Sequence, residues 1–121
     1  MNKEQALQSF WSSFGIPAYD ETTVPDDAKM PHITYSVTTD SLDNVVNLNA
    51  SLWYYSTSWA EITRKKDEIA EYVGVGGKVI KLDNGYAWLC RGVPFAQRMI
   101  DTNDMVRRIY INIQAEFLTE N

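Results

Sequence analysis

From Ile109 to Phe117 apolar and polar residues alternate without a break. Ile109, Ile111, Ile113, Ala115 and Phe117 form one set, and Arg108, Tyr110, Asn112, Gln114 and Glu116 the other. A period of two puts each set on its own face of a strand, and the pattern predicts one over 106–118. That is long against a usual strand of about five or six residues, so it should lie centrally or run the whole length of a sheet. The same period marks 32–39, where Ile33, Tyr35 and Val37 oppose Thr34, Ser36 and Thr38. It returns over 46–55, where Val46, Leu48, Ala50, Leu52 and Tyr54 oppose Asn47, Asn49 and Ser51. Ser41-Leu42-Asp43-Asn44 supplies a turn between these two, and a hairpin follows. Two shorter runs, 78–82 and 86–90, flank Asp83-Asn84-Gly85. Asn-Gly tolerates positive φ at both positions and predicts a second hairpin.

Two segments carry a helical period instead. Leu7, Phe10, Trp11 and Phe14 form one stripe in a helix over 3–14, with Asn2 and Gln5 as a capping box and Gly15 and Pro17 as the stop. Trp59, Ile62, Ile69, Ala70 and Val73 form another, started by a Ser58–Glu61 capping box and closed by Gly74. Two stretches lack any period. Residues 16–31 and 92–104 read as long surface loops. The expected fold is α+β, in the order α-β-β-α-β-β-β. It has an antiparallel sheet of four to five strands with both helices packed on one face. Residues 1–121 should make a single domain, a length that suits one core.

Charge narrows the class of partner. Sixteen acidic against 11 basic residues give a net charge of −5. Binding to nucleic acid draws on neutralised phosphates, and no basic run is longer than Arg64-Lys65-Lys66, which is followed at once by Asp67 and Glu68. Specific nucleic-acid binding is not expected. No apolar run reaches the roughly 20 residues of a membrane span, and the opening MNKEQALQSF has an early Glu and no apolar h-region, so neither a membrane segment nor a signal peptide is expected. The lone Cys90 leaves no internal disulfide.

Chemistry is sparse. His32, the single histidine, follows Pro31 at a strand entrance and reads as a surface or edge residue. Cys90 reads as a packed or interfacial thiol. One histidine and one cysteine cannot supply a zinc cluster. Gly74-Val75-Gly76-Gly77-Lys78 lacks the Ser or Thr of a phosphate loop and leaves a helix for a strand, the reverse of the required order. Neither Asp26-Asp27 nor Asp101 with Asp104 has calcium-loop spacing. No catalytic residue, metal or cofactor is expected.

What remains suits assembly. The polar face of the sheet carries Thr34, Ser36, Thr38, Asn47, Asn49, Ser51, Asn112 and Gln114, with few charges. Packing against another subunit and plain solvation both fit such a face. Trp53 and Tyr55 fall on that side as amphipathic rings. The 92–104 loop carries Phe95, Arg98 and Met99, types enriched at interfaces. Trp53, Tyr55, Phe95, Arg98 and Met99 are therefore the candidate partner-binding residues. No continuous exposed apolar strip is legible, so an isolated chain should be mainly monomeric.

The stretches MPHITYSV, SLWYYSTSWAEITRKKDEIAEYVG, RGVPFAQRM and NDMVRRIYINIQAEFLTE span most of the chain beyond residue 30. They resemble a family of small structural proteins of phages and prophages of Gram-positive bacteria. The order of elements is similar to that of the tail terminator, or tail completion, proteins of long-tailed phages. The resemblance implies a virion structural protein and not an enzyme. It would cap the tail tube as a ring, hexameric by family resemblance, and join it to the head connector. Its partners would be itself, the tail tube protein and the head connector protein. It would be found in the host cytoplasm during assembly and then in the virion. The acidic balance is compatible with a ring through which DNA slides. The family offers no short catalytic signature to carry over. Two alternatives stand beside this reading: another neck or minor capsid component, or a small-ligand or enzymatic domain using a corner formed by Trp53, Tyr55 and Trp59.

Overall fold

A computed structural model describes residues 1–37 and 45–119. The polypeptide runs α1 (Lys3–Ser12), β1 (Ala18–Asp20), β2 (His32–Tyr35), β3 (Val45–Tyr55), α2 (Ala60–Val73), β4 (Lys78–Leu82), β5 (Gly85–Met99) and β6 (Val106–Thr119). The six strands form one sheet in the order β1-β2-β3-β6-β5-β4. The fold is α+β, as the periods require, and the long alternating strand β6 lies centrally between β3 and β5. All pairings are antiparallel except one: β1 runs parallel to β2. The sheet is therefore mixed and larger than the four to five antiparallel strands expected.

One core lies between the helices and one face of the sheet. Leu7, Phe10 and Trp11 of α1 and Ile62, Ile69 and Val73 of α2 join a single buried cluster with the inward faces of β2, β3, β5 and β6. Cross-strand rows such as Ile33–Leu52–Ile109 and Tyr35–Ala50–Ile111 follow the register directly. Of the side chains the two periods assign to the core, all but Val37, Trp59 and Ala70 are fully buried, and Val37 and Trp59 pack against the cluster's margin. Helix α2 packs on β3, β5 and β6, and α1 on β1 and β4.

Five local expectations need correction. The stretch read as a loop over 16–31 contains β1, whose three residues pair Ala18, Tyr19 and Asp20 with Ile33, Thr34 and Tyr35. Three residues are too few to display an alternation. Residues 92–99 are not loop either: β5 continues through them, with a register irregularity between Arg91 and Ala96 before pairing with β6 resumes at Ala96–Ile111. Gly92 and Pro94 mark this bulge and not the end of the strand. At α2 the capping box does not form. Ser58 Oγ accepts from the Ala60 amide at 3.0 Å, and Trp59 occupies the cap position with no side-chain bond. The α1 box does form, with Asn2 Oδ1 taking the Gln5 amide at 2.8 Å and Gln5 Oε1 the Asn2 amide at 3.0 Å. That helix ends at Ser12, two residues early, though Phe14 stays buried. Strand β2 ends at Tyr35 where 32–39 was expected; Thr38, Thr39 and the turn at 41–44 lie outside the described residues.

Candidate functional site

The open face of the sheet, away from both helices, is built by register. His32 pairs with Trp53, Trp53 with Arg108, and Arg108 with Met99, so one row crosses β2, β3, β6 and β5. The next row is Thr34, Ser51, Tyr110 and Gln97. Asn49 faces Asn112 beyond it. These are the polar positions of each strand, brought to one side because their apolar neighbours are needed in the core.

The loop that follows β1 rises beside this face, and Glu21 and Val24 join the strands in lining a groove of about 460 Å³. Thr34, Ser36, Asn49, Ser51, Trp53, Arg108 and Tyr110 line the rest with His32. The volume lies within the usual range for ligand sites, about 300–1,000 Å³. Its floor is rigid. Trp53 Nε1–H donates to Thr34 Oγ1 at 2.9 Å. The Trp53 ring stacks on His32 at 6.3 Å, and Tyr19 meets His32 edge-on at 5.8 Å. On the other side the Arg108 guanidinium lies 4.6 Å from the Trp53 ring centre, a cation–π contact. Arg108 Nε donates to Ser51 Oγ at 3.1 Å. His32 and Ser51 are buried polar residues at 8% and 4% exposure, and His32 Nδ1 lies 3.1 Å from the Lys29 carbonyl oxygen, to which it can donate.

The five candidate residues separate across the sheet. Trp53 lines the groove, Met99 ends the same cross-strand row, and Tyr55 extends the open face at 60% exposure. Arg98 pairs with Ile109 and so lies on the helix side, its guanidinium 4.6 Å from the Trp59 ring centre. Arg107 flanks the same indole at 5.4 Å, held by the Asp104 and Thr57 carbonyls. Phe95 packs, partly buried, against the core. The proposed corner of Trp53, Tyr55 and Trp59 does not form, because Trp59 lies on the helix side and the groove takes Trp53 alone of the three. Sequence reasoning missed Arg108, Tyr110 and Glu21 as groove residues and read His32 as a surface or edge residue. The alternation around Ile109 already assigned Arg108 and Tyr110 to the polar face; only pairing with β3 brings them beside Trp53.

A second feature of the open face lies toward the β4 edge. Val79 pairs with Trp88, and Tyr86 with Leu118, giving four adjoining side chains that are 58%, 40%, 51% and 51% exposed respectively for Val79, Trp88, Tyr86 and Leu118. This is the apolar strip that the sequence does not display, because its members come from three strands.

Among the described residues, no helix is long and apolar enough to cross a membrane. No protein-family model and no curated protein matches the chain. The fold is similar to that of a chain in a solved structure described as the virion of a native gene transfer agent particle. The two are 16% identical with a TM-score of 0.62, over 94% of this chain and 90% of the other.

Proposed function

We propose that this protein is a structural component of a phage or phage-like virion. In that particle it caps the tail tube as a ring and joins it to the head connector. The observation that carries the reading is the fold likeness to a virion chain over nearly the whole of both chains. The capping role is drawn from the resemblance of the sequence to tail terminator proteins. The protein acts by binding alone. Its contacts are made by the open face of the sheet, with the Trp53 groove at one end and the Val79–Trp88–Tyr86–Leu118 patch at the other. Aromatic residues and Arg are the types that anchor protein interfaces.

The test is location. Density for this chain in a particle reconstruction, or a tag on it in electron micrographs, is expected at the head-proximal end of the tail tube. A position on the capsid shell or the distal tail tip would overturn the capping role while leaving a virion role standing. Absence from purified particles would overturn both.

A further inference from the structure

We infer that the groove is a carboxylate-binding site, and that its occupant is an Asp or Glu side chain presented by a protein partner. The Arg108 guanidinium carries five N–H donors. One is used, on Ser51 Oγ, and one face of the plane is taken by the Trp53 ring at 4.6 Å. The terminal Nη1 and Nη2 have no hydrogen-bond or ion-pair partner among the described residues. This is not for want of acids. The chain has 16 of them, and Glu21 lines the same groove without forming an ion pair.

The open fork is preorganised. Ser51 is 96% buried by its 4% exposure and fixes Nε. Trp53 fixes the plane and is itself held by Thr34 and His32. Ordering a long side chain normally subtracts from binding; here the fold has already done the ordering. A planar fork with two free parallel N–H groups matches a carboxylate bidentately.

The rest of the groove chooses among anions. The net charge of −5 disfavours a polyanion such as nucleic acid. Thr34, Ser36, Asn49 and Tyr110 are uncharged donors and acceptors suited to the peptide groups on either side of an acidic residue. The identity of the partner as another virion protein rests on the function proposed above. The carboxylate preference does not, because it is read on the isolated protein while location and tail length are read in particles.

The probe is a blocked peptide, acetyl-Gly-Glu-Gly-amide, with its Gln counterpart, acetate and inorganic phosphate as comparisons. The readout is the ¹⁵N-edited NMR signals of the Trp53 indole and the Arg108 Nε–H. The Glu peptide should shift both saturably in the millimolar range. The Gln peptide should bind about tenfold more weakly, the worth of a charge-assisted bond. Arg108→Gln should lose binding by a similar factor with the backbone spectrum unchanged outside the groove. Arg108→Lys keeps the charge without the fork and should weaken binding too, which covers the case in which the Gln variant fails to fold. Equal binding of Glu and Gln peptides, undiminished binding by Arg108→Lys, or no saturable shift would overturn the proposal. Acetate or phosphate binding as tightly as the Glu peptide would overturn the protein occupant and make this a small-anion site.

Discussion

Ile111 has no exposed surface, pairs with Ala50 on one side and Ala96 on the other, and belongs to the cluster that both helices cover. Truncating such a residue removes its burial and leaves a cavity flanked by small side chains. Ile111→Ala should cost about 2–5 kcal/mol in denaturant unfolding; a near-neutral result would contradict its place in the core. Two buried tyrosines add a pH dependence. Burial raises the pKa of the Tyr35 hydroxyl, helped by Asp20 and Glu4, and burial raises that of Tyr54, helped by Glu61 and Glu68. A folded-state pKa above the unfolded 10.0 means the native state holds its proton more tightly. The contribution is complete below pH 10 and is lost as pH rises through the folded values. Unfolding free energy should therefore fall above about pH 10, and Tyr54→Phe should flatten the decline. A curve equally steep in that variant would exclude Tyr54 as its source.

At the scale of elements, β5 is where the structure departs furthest from the expected loop. Arg91 and Gly92 explain how a strand survives there. Arg91 donates Nε and Nη2 to the Ala70 carbonyl at 2.9 and 2.6 Å, tying the end of α2 to β5. Gly92 is buried against β6, where an added Cβ would lie 2.8 Å from both Cβ and O of Asn112. Gly92→Ala should thus destabilise by about 1–3 kcal/mol, as overpacking does. Amide exchange gives a second check. Amides of 96–99 that face β6 should exchange much more slowly than those of 100–104; equal rates would return the segment to the loop that its Gly and Pro suggested. Strands β3 and β6 were legible to within about a residue because apolar alternation ran through most of their length, and β4 because the Asn84-Gly85 turn fixed where it ends. β1 and the second half of β5 were not, because pairing partners and not their own pattern hold them.

For the whole molecule, the sequence could say which residues share a face but not which strands are neighbours. Trp53 and Tyr55 were legible as out-of-place rings on a polar side. The groove was not, since His32, Trp53 and Arg108 become a row only in the order β2-β3-β6. The apolar patch of Val79, Tyr86, Trp88 and Leu118 was hidden in the same way. Four side chains fall well short of the roughly 1,000 Å² a specific interface buries. The isolated protein should accordingly sediment as a monomer at micromolar concentration and associate only when concentrated or on a tube end. Val79→Glu should suppress that association without unfolding, as Val79 is 58% exposed on the edge strand. A single stable oligomer at submicromolar concentration, or association unchanged by Val79→Glu, would contradict this use of the patch. The central claim concerns what the assembled face does, and tail length measures it most directly. Electron micrographs of particles made without this protein should show tails of uncontrolled, extended length that lack heads, restored when the protein is supplied. Tails of normal length joined to heads would contradict the account.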